Sequence, residues 1–160
     1  MGLDQWLYKK TYVQNWEHQR PEERHEISVK LGGVLREDIN PQKIAYIVEQ
    51  AGYWRKFNAL HGWIVDNCAE GNDECQEIPL TEDNLRELYE TLTKVLEKAK
   101  AEQPSKKEIA ELMPPTSGFF FGSIEIDERY IEQVEKTIEI IEQALICVGS
   151  DVDYYYQASW

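Results

Sequence analysis

Residues 3–13, Leu3-Asp4-Gln5-Trp6-Leu7-Tyr8-Lys9-Lys10-Thr11-Tyr12-Val13, decide that this chain contains a sheet. The stretch is rich in aromatic and β-branched side chains. Leu3, Gln5, Leu7 and Lys9 fall on one parity and Asp4, Trp6, Tyr8 and Lys10 on the other, the two-residue period of a strand. Beyond a polar loop over Asn15 to Glu23, residues 26–31 alternate Ile27, Val29 and Leu31 against Glu26, Ser28 and Lys30. This predicts a second strand, ended by a turn at Gly32-Gly33. Residues 43–50 alternate Ile44, Tyr46 and Val48, which favours a strand over a helix begun at Pro41. Short strands at 76–80 and 152–157 would complete the sheet.

Elsewhere the period is helical. From Tyr53 to Cys68, Phe57, Leu60, Ile64 and Cys68 share a face flanked by Trp54, His61 and Val65, which predicts a helix over 53–68. Thr81 precedes Glu82 and Asp83 as an N-cap with first-turn acids, and Leu85, Leu88, Leu92, Val95 and Ala99 follow at spacings of three and four. Asp127 caps a similar repeat of Ile131, Val134, Ile138, Ile141, Leu145 and Val148, with Gly149 in the position of a left-handed C-terminal glycine. The one linker-like stretch, 102–107, is too short to separate domains. The expectation is an α+β fold: a small antiparallel or mixed sheet packed against about three helices, with residues 1–160 as a single domain.

The 160 residues are 42% apolar and 29% charged, the balance of a folding globular chain. No apolar run approaches the roughly 18 residues of a membrane span, and the charged start is unlike a signal peptide. Cys68, Cys75 and Cys147 form no C-x-x-C pair, so neither a disulfide framework nor a structural zinc site is expected, and a reducing cytoplasm fits. The net charge of −13 is unevenly held. Residues 1–69 carry nine acids and nine bases, so the excess lies wholly in 70–160, where direct nucleic-acid binding is disfavoured.

The densest recognition chemistry is Tyr53-Trp54-Arg55-Lys56-Phe57-Asn58-Ala59-Leu60-His61-Gly62-Trp63. Rings stack on planar groups, Arg and Lys pair with phosphate, and Asn or His can bond a sugar or base edge. On a helix Trp54, Asn58 and His61 would fall along one edge, able to line a cleft. The segment 114–123, Pro-Pro-Thr-Ser-Gly-Phe-Phe-Phe-Gly-Ser, reads either as a buried strand or as a loop pressing rings on a ligand. At least one of its phenylalanines must meet the helix layer, a ligand or a partner chain, which leaves a homo-oligomer open. The tyrosines and tryptophan of 154–160 predict a docked, ordered end. G-x-S-x-G, H-E-x-x-H and G-x-G-x-x-G are all absent, so no enzyme, metal site or cofactor is expected; were His61 a general base, Asp4 or Asp66 would orient it.

Four blocks also carry a resemblance: the Met1-Gly2-Leu3-Asp4 start, the YWRK-x-N-x-x-H-x-W block of 53–63, the Ser117-to-Ser123 loop and the Tyr155-Tyr156-Gln157-Ala158-Ser159-Trp160 ending. Together they resemble a family of small bacteriophage and prophage proteins. The resemblance implies an accessory protein in the cytoplasm of an infected bacterium, of a kind that binds host defence proteins or their nucleotide signals. Residues and resemblance combine into a non-catalytic protein that sequesters a small anionic ligand, a nucleotide, with Trp54, Arg55, Lys56, Asn58, His61, Trp63 and Phe120 around it. The alternative is an acidic inhibitor whose Glu-rich helices imitate a phosphate backbone on a host nuclease or DNA-binding protein.

Overall fold

In the computed structural model, which describes residues 2–160, β1 (Asp4–Tyr12) and β6 (Val152–Ser159) are the central strands of a four-stranded antiparallel sheet. β4 (Tyr46–Arg55) flanks β1 and the three-residue β5 (Ile78–Leu80) flanks β6, giving the order β4-β1-β6-β5. β2 (Lys30–Leu31) and β3 (Val34–Leu35) form a separate hairpin. Its turn needs positive φ at both central positions, which Gly32 (58°) and Gly33 (84°) supply. The expected strand over 26–31 is thus confined to its last two residues. Residues 14–45 form a largely exposed arm between β1 and β4.

There are four α-helices, α1 (Asn58–Cys68), α2 (Glu82–Ala99), α3 (Lys106–Leu112) and α4 (Glu128–Cys147); α1, α2 and α4 pack on one face of the sheet and α3 packs against α2. Thr81 and Asp127 cap α2 and α4 as their sequences predict; Thr81 accepts from the Asn84 amide, and Asp127 from that of Tyr130 at 3.0 Å. α2 and α4 lie against each other as well as on the sheet. Their stripes (Leu85, Leu88, Leu92, Val95; Val134, Ile141, Ala144) join Leu7, Trp54, Leu60, Ile64, Tyr154 and Tyr156 in one core. Among the described residues no helix is long and apolar enough to cross a membrane.

Four expectations are corrected. The helix predicted over 53–68 begins only at Asn58, because 53–55 belong to β4. The buried Gln5 side chain bonds both main-chain groups of Phe57 (Nε2 to O, 3.1 Å; Oε1 from N, 2.9 Å), and Lys56 takes a left-handed φ of 59° to turn the corner. Segment 114–123 is a loop rather than a strand, and α3 occupies ground read partly as linker. Gly149 is no left-handed cap; α4 ends at an extended Val148 (φ −60°, ψ 138°).

Candidate functional site

The seven residues expected around a ligand do not converge on one hollow. Trp54 is buried in β4, and its indole N–H donates to Thr137 Oγ1 on α4 at 2.8 Å. Trp63 is buried in the core. Asn58 commits its whole amide to the 114–123 loop: Nδ2 donates to the carbonyls of Phe121 (3.0 Å) and Ser123 (2.8 Å), and Oδ1 accepts from the Thr116 N–H (3.0 Å). Gly62 lets that loop approach α1, since a Cβ there would sit 2.0 Å from the Thr116 hydroxyl oxygen. Phe120 is half-buried, stacked edge-on against the exposed Phe119 with centroids 4.7 Å apart. Folding accounts for three of these side chains: the polar atoms of Trp54 and Asn58 are already bonded inside the protein, and Trp63 packs in the core, whereas Phe120 lies outside the core against Phe119.

His61 is likewise enclosed. Its Nε2 lies 2.9 Å from Asp73 Oδ2 and its Nδ1 2.8 Å from the Tyr156 hydroxyl, which accepts from Gln5 Nε2 at 3.0 Å. A carboxylate only accepts, so Nε2 carries a proton toward Asp73, and Nδ1 shares its hydrogen bond with the Tyr156 hydroxyl. The partner of His61 is therefore Asp73, a loop residue twelve positions away; Asp4 instead accepts from the Tyr53 hydroxyl at 2.5 Å, and Asp66 is exposed. Phe121 covers the imidazole edge-on at 5.2 Å, and the Trp160 indole donates to Asp73 Oδ1 at 3.2 Å. Burial pushes the Tyr156 phenol far above its ordinary value, which keeps it a neutral hydrogen-bonding group. The network ties α1, β1, β6 and the 69–77 loop together.

Lys56 and Asn58 do share a cleft, with Ser123, Asp127 and Arg129. Its volume is about 50 Å³, room for water rather than for a nucleotide. A wider opening of about 740 Å³ lies between loops of the arm. Its cation Arg24 is engaged by the Glu17 (2.9 Å) and Gln19 (3.1 Å) carbonyls.

The face of the sheet turned away from the helices is different. Opposite Gln5 and Leu7, the other parity of β1 lays out Asp4, Trp6, Tyr8, Lys10 and Tyr12, and the pairing register brings a second ring beside each aromatic one. Trp6 meets Tyr53 (centroids 5.9 Å), Tyr8 meets Tyr155 (5.2 Å), and Tyr12 meets Tyr46 (5.3 Å). A bulge at Ala51 makes this row continuous: the extra residue shifts the parity of β4 so that Tyr46 and Val48 join Tyr53 on one face. Tyr46, Val48 and Tyr53 are 44%, 50% and 36% exposed, a density of open apolar surface that folding alone does not call for.

Charge is sparse and mixed on this face. Lys10 Nζ sits 4.2 Å from the Tyr46 ring centroid, Arg55 stands exposed at the far end, and Asp4, Glu77 and Asp153 are the acids. The bond to Asp4 holds the Tyr53 phenol above its ordinary value, and burial with the Glu77 charge does the same for Tyr155. A groove of about 470 Å³, bordered by Lys10, Val48, Glu77, Pro79, Asp153 and Tyr155, opens on it. That volume lies within the roughly 300–1,000 Å³ of small-molecule sites. Of the seven sequence-predicted residues only Arg55 lies here. The sequence signal for Trp6, Tyr8, Lys10 and Tyr12 was the parity of 3–13, whereas Tyr46, Tyr53 and Tyr155 reach this face through the pairing register. Compared with protein-family models, curated proteins and solved structures, the chain finds no match in any of the three.

Proposed function

We propose that this chain is a non-catalytic binding protein that holds a small ring-bearing anion, a nucleotide, on the open face of its sheet. The observation that carries the reading is the row of three paired aromatic side chains on a face no helix covers. Trp6 and Tyr8 are two strand positions apart, about 7 Å, at the rise of an extended chain. Each base stacked on such a ring gains about 1–3 kcal/mol. Lys10, two positions along β1 from Tyr8, is placed for the phosphate, whereas Arg55 stands six strand positions from Lys10, about 20 Å away, at the far end of the row. Asp4, Glu77 and Asp153 repel a long polyanion, so the reading favours a single small ligand over a nucleic-acid strand. In an accessory protein of the phage kind that its blocks resemble, such binding would sequester a host nucleotide signal in the bacterial cytoplasm.

Calorimetry against mono-, di- and cyclic nucleotides at physiological salt tests this. Heat with one of them, with affinity reduced by about 1–3 kcal/mol in Tyr155→Ala, is expected; absence of heat across the panel rejects the reading.

One observation favours a second reading. α2 and α4 lie side by side, and their solvent faces carry Glu82, Glu87, Glu90 and Glu97 beside Glu128, Glu132, Glu139 and Glu142, opposite the rings. An inhibitor imitating a phosphate backbone on a host nuclease or DNA-binding protein would use that side. Its complex would weaken steeply with added salt, whereas a stacked ligand would change little.

A further inference from the structure

We propose that two copies of this chain associate through the free edge of β4, joining their sheets into one. The two edges of the sheet are built differently. β5 is three residues long and contains Pro79, which blunts it; β4 is ten residues long, contains no proline, and holds a single acid and a single base, Glu49 and Arg55. No strand among the described residues pairs with the outer side of β4.

The ladder shows which groups are available. The Val13 N–H donates to the Ala45 carbonyl at 2.9 Å, so Ala45, Ile47 and Glu49 turn their main-chain groups toward β1. By alternation Tyr46, Val48 and Gln50 turn theirs outward, three N–H and three C=O groups without a partner strand. An antiparallel copy centred on Val48 places Tyr46 opposite Gln50 and Ile47 opposite Glu49. Every outward group then finds its complement, and no like charges are opposed.

Charge decides that the occupant is a second copy and where it sits. The net charge of −13 is carried by residues 70–160, whereas residues 1–69 hold nine acids against nine bases, so like-charge repulsion between two copies is weakest where residues of 1–69 meet. β4 lies in that half. So does the arm leading into it, whose Leu31, Val34 and Leu35 are 69%, 71% and 58% exposed. Two-fold pairing is isologous and closed, so it ends at a dimer. It also sets the Val48 residues of both copies side by side and each Tyr46 beside the other copy's Gln50, extending the open face across the junction. The association does not depend on a ligand.

Sedimentation equilibrium of the full chain over a range of concentrations tests the proposal. A dimer is expected, converted to monomer by Val48→Lys, with unchanged far-UV circular dichroism and a cooperative thermal melt whose midpoint no longer depends on concentration, and retained by the surface control Glu90→Lys on α2. Hydrogen exchange of the wild-type chain should protect the Tyr46, Val48 and Gln50 amides as the dimer forms. A wild-type chain that is monomeric throughout overturns the proposal. So does a dimer that survives Val48→Lys, or one that leaves those three amides unprotected. If Val48→Lys fails to fold, the exchange pattern of the wild-type chain alone decides between the edge of β4 and any other interface.

Discussion

Tyr8 of β1 and Tyr155 of β6 stand directly across the ladder from each other, ring centroids 5.2 Å apart and planes tilted by 32°, on the face of the sheet that no helix covers. Their neighbours one residue along, Leu7 and Tyr156, point the other way and are fully buried. The same two strands therefore build both the core and the proposed binding face. Changes on the two parities should have separable effects.

Tyr155→Ala should cost ligand affinity and little stability. The tyrosine pair is worth about 0.5–1.5 kcal/mol to the fold, whereas a lost stacking platform weakens binding by about 1–3 kcal/mol. Urea unfolding and calorimetry on the same variant separate the two. A collapse of stability with unchanged affinity would make this ring structural.

Trp54→Phe should behave in the opposite way. The substitution keeps most of the apolar bulk but removes the donor to Thr137 Oγ1, leaving a hydroxyl at 0% exposure with its bond to the Gln133 carbonyl alone. A loss of about 1–3 kcal/mol in urea unfolding, with nucleotide affinity unchanged, is expected.

Asn58→Ala removes the three bonds that hold the loop 114–123 on α1, leaving the Thr116 N–H and the Phe121 and Ser123 carbonyls without that partner. Stability should fall by about 2 kcal/mol or more. Hydrogen exchange should quicken first at Thr116, before the strands. Uniform acceleration throughout the chain would show that Asn58 serves the whole fold rather than the loop.

These residues also mark what the sequence could and could not disclose. The stripes and N-caps of α2 and α4 were legible because they are local: Leu85, Leu88, Leu92 and Val95 show a helix without reference to anything distant. The parity of Trp6, Tyr8 and Lys10 was legible for the same reason. The strand-to-helix break was not, since it depends on Gln5 reaching Phe57 across 52 positions and on the unusual backbone of Lys56. Read without that break, Trp54, Asn58 and His61 fall on one helical edge; with it, Trp54 belongs to a strand. The partners Tyr53, Tyr155 and Tyr46 come to the ring face through long-range register and through the bulge at Ala51. Asp73, within a polar loop, gave no local sign that it would meet His61.

Alkaline pH should destabilise the chain in steps. Burial, and then the charge of Glu87, pushes the Cys68 thiol from about 9 in the unfolded chain up to about 11. Burial pushes Tyr154 from about 10 up to about 12. Both groups are held neutral in the fold, so their contribution is complete below pH 9 and is lost as pH rises through 11 for the thiol and 12 for the phenol. Urea midpoints should be level up to pH 9 and fall above it, and Cys68→Ala should delay the fall until the tyrosines titrate. Alkylation near neutral pH should label the exposed Cys147 well before Cys68.

The most direct test of the account is an NMR titration of the folded chain with the nucleotide that gives the largest calorimetric signal. Shifts concentrated at Trp6, Tyr8, Lys10, Tyr53 and Tyr155, with the His61–Asp73–Tyr156 network undisturbed, are what the open ring face predicts. Shifts centred on Asn58, His61 and the 114–123 loop, with the sheet face silent, would contradict it.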